Sequence, residues 1–251
     1  SLLGRQPHPT PPGAPDPSGL GHTDVKLIDL YLKKTFGSFT FAVEMPLLSG
    51  QIGDVYGSKQ GINYKARAII FESSMKLGNS WKIGFDWGKV NGDNGSTGSF
   101  DAMYLHPNYQ IANVLFRYNR KAVADPDAVN IYDSHINNAT YFKFHSEYNS
   151  GKWTFRNALI MASADEVAKA SDGRAFNHLT NVTFTPGLDQ ESDLGLEFDF
   201  NMDYRWNTET TIGMGLGYLF SGDYFAYTND PAVSHEAENS FVIQLNTSVK
   251  F

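Results

Sequence analysis

Cysteine is absent from the 251 residues, which excludes disulfides, zinc–thiolate centres and thiol nucleophiles. Positive charge is scarce. Twenty Lys and Arg stand against 27 Asp and Glu, giving a net charge of −7, so nucleic acid is not an expected partner. Long apolar runs are missing too; Ala158–Ala162 is among the longest. No helix here reaches the ~20 apolar residues needed to cross a bilayer. A membrane β-barrel is not excluded, because it hides its apolar half in alternation. Ser1–Asp24 lacks a basic start, an apolar core and a small-residue cleavage site, so no secretory signal is expected within it. Six of the eleven prolines fall between Pro7 and Pro17, and residues 1–22 are read as an extended loop or tail.

What is present is alternation. Leu194, Leu196, Phe198, Phe200, Met202, Tyr204 and Trp206 share one face, and Gly195, Glu197, Asp199, Asn201, Asp203 and Arg205 share the other. That is a period of two over thirteen residues, longer than the usual soluble strand. Phe39–Met45, Trp81–Gly88, Phe142–Tyr148, Trp153–Ala162 and Phe241–Phe251 read alike. In Asp24–Lys33 and Tyr64–Leu77 the phase slips, which suggests bulges. Tight turns are expected near Gly37, Asn79, Ser150 and Asn207, and long polar loops at 49–62, 91–135, 166–192 and 221–238. Short turns at one end and long loops at the other are the pattern of outer-membrane barrels. A soluble sandwich or lipocalin-like barrel would also alternate. Its apolar face would be mainly aliphatic, whereas Trp81, Trp87, Trp153, Tyr204, Trp206 and Tyr218 suit interfacial girdles.

The expected fold is therefore all-β, an antiparallel transmembrane β-barrel over residues 23–251. About nine strands are expected, near 23–36, 38–48, 63–77, 79–90, 136–148, 152–165, 193–206, 208–220 and 239–251. Complete bacterial barrels have even strand numbers. Either this is the C-terminal part of a larger barrel, the reading preferred here, or Ile111–Tyr118 is a further strand.

Ser240–Phe251, alternating and ending in Phe, resembles the terminal signal read by the outer-membrane assembly machinery. Asp193-Leu-Gly-Leu-Glu-Phe-Asp199, followed by Gly217-Tyr-Leu-Phe-Ser-Gly-Asp-Tyr224, resembles the closing strands of alginate-export porins. Ser99-Phe100-Asp101 with Tyr104, His106, Pro107 and Tyr109 resembles that family's long loop, with His and Pro in a different order. The likeness covers about residues 80–251. It implies an outer-membrane pore of about 18 strands, of which nine are half; alginate itself is not implied.

The face opposite the apolar one offers pore-lining candidates: Lys82, Asp86, Lys143, His145, Glu147, Arg156, Glu197, Asp199, Asp203 and Arg205. The acidic row Glu197, Asp199 and Asp203 suggests mixed or cation-leaning selectivity; charges paired across strands would select nothing. Gly213, Gly215 and Gly217 fall on the same face and leave room for a solute, a folded-in loop or a bend in the wall. Asp93 and Asn94 are weak calcium candidates, as are Asp223, Asp230 and Glu236, although turn chemistry explains the first pair equally well. The seven histidines form no metal-spaced pair, and His145-Ser146 lacks a lipase context, so neither an enzyme nor a cofactor is expected. The expected function is a bacterial outer-membrane channel passing small polar solutes or saccharides, with loop 91–138 folding over or into the pore. Lipid and lipopolysaccharide are the expected surroundings, and missing N-terminal strands or another chain the expected partners. A non-conducting barrel that anchors an envelope complex is the alternative. A soluble carbohydrate-binding β-domain is the third.

Overall fold

The computed structural model describes residues 23–53, 61–96, 98–120, 130–233 and 236–250. The proline-rich stretch 1–22, much of the loop at 49–62, and terminal Phe251 lie outside the described residues. Among the described residues, twelve strands follow in order: β1 Asp24–Phe36, β2 Phe39–Ile52, β3 Ile62–Leu77, β4 Trp81–Val90, β5 Ser99–Phe100, β6 Ala139–Ser150, β7 Trp153–Ala164, β8 Ala175–Asn177, β9 Val182–Phe184, β10 Asp193–Arg205, β11 Thr210–Ser221 and β12 Ser240–Val249. A short 3-10 helix spans Asp223–Ala226.

Nine strands of 10 to 16 residues make one antiparallel meander, β1-β2-β3-β4-β6-β7-β10-β11-β12, each hydrogen-bonded to its sequence neighbours. β5 adds to β3 in parallel, and β8 and β9 form a separate hairpin. β1 pairs only with β2 and β12 only with β11, so the sheet is open along both edges among the described residues. One end of the meander carries tight turns. There Gly37 (φ 56°) and Gly78 (φ 65°) take a left-handed conformation that L side chains resist. The other end carries the long connections.

The register sorts side chains between two unlike faces. On one face stand Trp87, Phe142, Met161, Leu196 and Phe220, cross-strand neighbours in one continuous row. This face is bare: Phe144 and Phe198 are 50% exposed, and Phe241, Ile243 and Leu245 63–79%. On the other face, buried Ala66, Ala68, Ile70, Val90, Tyr141, Ala158, Ile160, Ala162 and Leu219 pack against Met103, Leu105, Ile111, Val114, Leu115 and Ile136 from the 91–138 connection. The core thus lies between the sheet and its own loop.

The expected bulges in Asp24–Lys33 and Tyr64–Leu77 are not there. Both strands keep register with their neighbours, and a register shift falls instead between Asp193 and Gly195 in β10. The slipped phase has another cause: Ala66, Ala68 and Ile70 are apolar because they support the loop, which makes both faces of β3 apolar. Ile111–Tyr118 is not a strand but a turn.

Candidate functional site: the loop-covered face

Glu197 anchors the loop. It projects from β10 between Ile160 of β7 and Leu219 of β11, and all three are fully buried. A carboxylate in an apolar slot needs full compensation. Backbone N–H groups supply it: Asn113 (2.8 Å) and Val114 (2.6 Å) donate to Oε1, and Leu115 (2.6 Å) donates to Oε2. These amides open a single turn in which Arg117 and Tyr118 N–H both donate to Val114 C=O. Glu197 therefore caps a turn from across the sheet, much as an acid caps a helix start. The turn closes at Phe116, whose φ is 63°.

Asp199 is also buried, at 3% exposure. Its Oδ2 accepts a second bond from Asn113 N–H (3.0 Å). Asn113 Nδ2 donates to Asn201 Oδ1 (3.2 Å) and Leu216 C=O (2.9 Å). The three glycines of β11 stand directly across from this polar row, Asp199 facing Gly217, Asn201 facing Gly215 and Asp203 facing Gly213. A Cβ at Gly217 would lie 2.7 Å from Asn113 Cβ and 3.1 Å from Val114 Cγ2. At Gly215 and Gly213 it would meet Asn201 Oδ1 (2.7 Å) and Asp203 Oδ1 (2.6 Å). The glycines make room for the loop and the polar row. Gly217 and Glu197 are therefore corrected from pore lining to loop anchorage, because the loop covers them, whereas Asp199 holds the loop and also lines the cavity beside it.

Other contacts hold the connection at its margins. Tyr109 Oη donates to Glu72 Oε1 (3.0 Å) and lies 3.1 Å from Tyr141 Oη. Burial, followed by Tyr141, pushes the Tyr109 hydroxyl far above the usual phenol range, so it stays protonated. Gln244 of β12 donates to Tyr118 Oη (2.9 Å). Arg120 donates to Glu238 C=O (2.7 Å) and stacks over Phe225 at 4.1 Å. Its guanidinium is held below the usual arginine range by burial.

At the rim, His178 Nε2 accepts from Asp93 N–H (2.8 Å). Burial drives the His178 imidazole down to about 3, with Asp165 opposing, so it is neutral here. Asp93 spends its carboxylate on its own loop: Oδ1 accepts from Gly95 N–H and Oδ2 from Asp101 N–H, both at 2.7 Å. Asn94 Oδ1 accepts from Ser96 N–H (2.8 Å). The calcium reading of Asp93 and Asn94 gives way to turn chemistry. Asp230 Oδ1 likewise accepts from Ala232 N–H, Asp223 lies in the 3-10 helix, and Glu236 is exposed. No group of three metal-ligating side chains forms among the described residues.

Toward the turn end the covered face stays open. A cavity of about 270 Å3 is lined by Lys82, Lys143, His145, Glu147, Arg156 and loop residue Arg117, among others. Arg156 joins Glu147 (3.1 Å) to Asp203 (2.7 Å), and His145 lies 3.3 Å from Asp86. Lys82 and Lys143 stand opposite Glu147 and Asp86 in register. They make no ion pair among the described residues, since Arg156 and His145 engage those carboxylates. Arg117 donates to Gln110. Arg205 is exposed at the end of β10. The acidic row thus divides into two loop anchors, of which Asp199 also lines the cavity, and one paired acid; Lys82, Lys143 and Arg117 face the same cavity without an ion pair among the described residues. Sequence reading missed Arg117, which only the loop's path brings to this face.

No family model matches the chain, and no curated protein does. Among solved structures it is similar to OmpT (in-vitro folded), an outer membrane protein of Vibrio cholerae, at 12% identity and a TM-score of 0.41, covering 89% of this chain and 55% of that one. The trimer form of OmpT gives 13% identity and a TM-score of 0.38, covering 89% and 54%. The chain spans about half the length of these matched structures.

Proposed function

We propose that the chain forms part of a bacterial outer-membrane β-barrel of about 18 strands, resembling alginate-export porins in architecture, and that it passes small polar solutes. The observation that carries this reading is the bare face. Apolar side chains dominate one side of all nine strands, while most of the acidic side chains and the loop gather on the other. Leaving one large apolar side chain in water forgoes ~1.5–3 kcal/mol. A monomeric soluble protein rarely exposes so wide a patch, which counts against the soluble carbohydrate-binding reading. Strands of 10 to 16 residues suit a hydrocarbon core, which a tilted strand of ~9–11 crosses. The two open edges support closure by further strands, since unpaired backbone is not tolerated in lipid.

The solute class follows from the cavity. Lys82, Arg117 and Lys143 make the open part of the covered face attractive to small anions. Planar-bilayer recording in a salt gradient tests this. The expected reversal potential is anion-favouring and moves toward neutrality in the Lys82→Gln/Arg117→Gln/Lys143→Gln variant. An unchanged potential refutes the selectivity. The second reading, a non-conducting barrel that anchors an envelope complex, is favoured by the packed loop core around Ile111, Leu115 and Ile136. A trace closed at all voltages selects it over the channel.

A further inference from the structure

The loop end of the bare face ends in cations. Tyr64 and Ala66 point into the loop core, as does Ala68, so the intervening Lys65 and Arg67 project from the bare face. Register carries this outward: Lys26 of β1 pairs with Ser49 of β2, and Ser49 pairs with Lys65. Lys89 of β4 pairs with Ile69 on the same face. All four cations are exposed. Lys89 is engaged by Asp165 at 2.8 Å, whereas Lys26, Lys65 and Arg67 make no ion pair among the described residues. Asp24, two residues from Lys26, is the acid on the same face of β1. Below the cations the face is apolar: Ile28, Leu30, Phe71 and Trp87. Its turn end carries aromatic pairs instead, Trp81 with Tyr148 and Trp153 with Tyr204.

Spacing makes these charges one site. Two residues along a strand are ~7 Å apart, and two strands apart is ~10 Å. Three free cations therefore lie within the span of one sugar headgroup, directly above an apolar band. In a chain of net charge −7 such a cluster is conspicuous. Arg67 presents a planar fork suited to phosphate, and the lysines add point charges.

We propose that Lys26, Lys65 and Arg67 bind the phosphate groups of an outer-leaflet glycolipid of the lipid A type, whose acyl chains lie along the bare face. This rests on the outer-membrane reading, with the long loops outside. The test is native mass spectrometry of the full chain in neutral detergent micelles doped with bis-phosphorylated lipid A, after heat-modifiable gel migration has been measured. Lipid A adducts are expected. The Lys26→Gln/Lys65→Gln/Arg67→Gln variant should bind at least tenfold more weakly, while Lys34→Gln, at the turn end of the same face, should bind as the parent does. Dephosphorylated lipid A and phosphatidylglycerol should bind at least tenfold more weakly than lipid A, and millimolar inorganic phosphate should not displace it. A triple variant that binds normally, equal binding of phosphatidylglycerol, or displacement by inorganic phosphate overturns the site. Heat-modifiable protein without adducts overturns the site alone. Protein that is not heat-modifiable and needs no detergent overturns the outer-membrane reading and the site with it.

Discussion

Replacing Glu197 with Gln should release the loop without disturbing the sheet. The side chain keeps its size, but one acceptor oxygen becomes an N–H2 that faces Leu115 N–H. The bond lost is charge-assisted, worth ~1.5–3 kcal/mol, and the stranded buried amide costs a further ~1–3 kcal/mol. The remaining bonds, from Asn113 and Val114 to Oε1, lose their ionic character. A weakening of loop closure by ~2.5–6 kcal/mol follows, which is about 60-fold to about 20,000-fold in the opening equilibrium, at 1.4 kcal/mol per tenfold. Amide hydrogen exchange reads this directly, because the amides of Asn113, Val114 and Leu115 exchange through opening. They should accelerate by at least about 60-fold, while amides in β6 and β7 stay within about threefold. If the conductance of the full chain is limited by this loop, it rises in parallel. Unchanged exchange at all three amides would falsify the anchoring role of Glu197.

The rim should respond to acid. His178 is ordinarily protonated near 6.5, but its buried ring holds to about 3. Between those values the opened loop takes up a proton that the closed loop refuses, so closure is fully stable above pH 6.5 and weakens as pH falls toward 3. The slope is up to ~1.4 kcal/mol per pH unit. Exchange at the Asp93 amide, relative to a strand amide at each pH, should rise between pH 7 and 4.5, and His178→Gln should flatten that dependence; a flat parent profile refutes the linkage. Gly217→Val drives Cβ into Asn113 and Val114, an overpacking cost of ~1–3 kcal/mol. It should free the same amides as Glu197→Gln, whereas Gly213→Ala, away from the loop, should leave them protected. Equal effects at both glycines would contradict the division of labour along β11.

Much of the sheet was legible because a strand bare on one side leaves its period in the sequence. Leu194–Trp206 is the clearest case, and its alternation puts Glu197, Asp199 and Asp203 on one face of β10 and Leu196, Phe198 and Phe200 on the other. What those acids do was not legible. The partners of Glu197 and Asp199 are backbone amides more than 80 residues away, at 113–115, and nothing in local spacing reports such a partner. The same long-range packing explains the misread phase of Tyr64–Leu77. Ala66, Ala68 and Ile70 look like errors in an alternating strand until the loop that rests on them is known. Gly213, Gly215 and Gly217 were visible as a row, but the choice among solute, loop and wall needed the register with β10. The hairpin of β8 and β9, three residues each, is too short to leave a periodic signal.

The central claim concerns which face meets hydrocarbon. Because the chain has no cysteine, single thiols can be placed and spin-labelled without background. Labels at Phe144, Leu159, Phe198 and Ile243 sample the bare face, and labels at Lys143 and Arg156 sample the cavity. In a bilayer, the account predicts that the first four collide readily with dissolved oxygen and are shielded from a water-soluble nickel chelate, with the opposite result at 143 and 156. Nickel access along the bare-face series equal to that at 143 and 156 would contradict it.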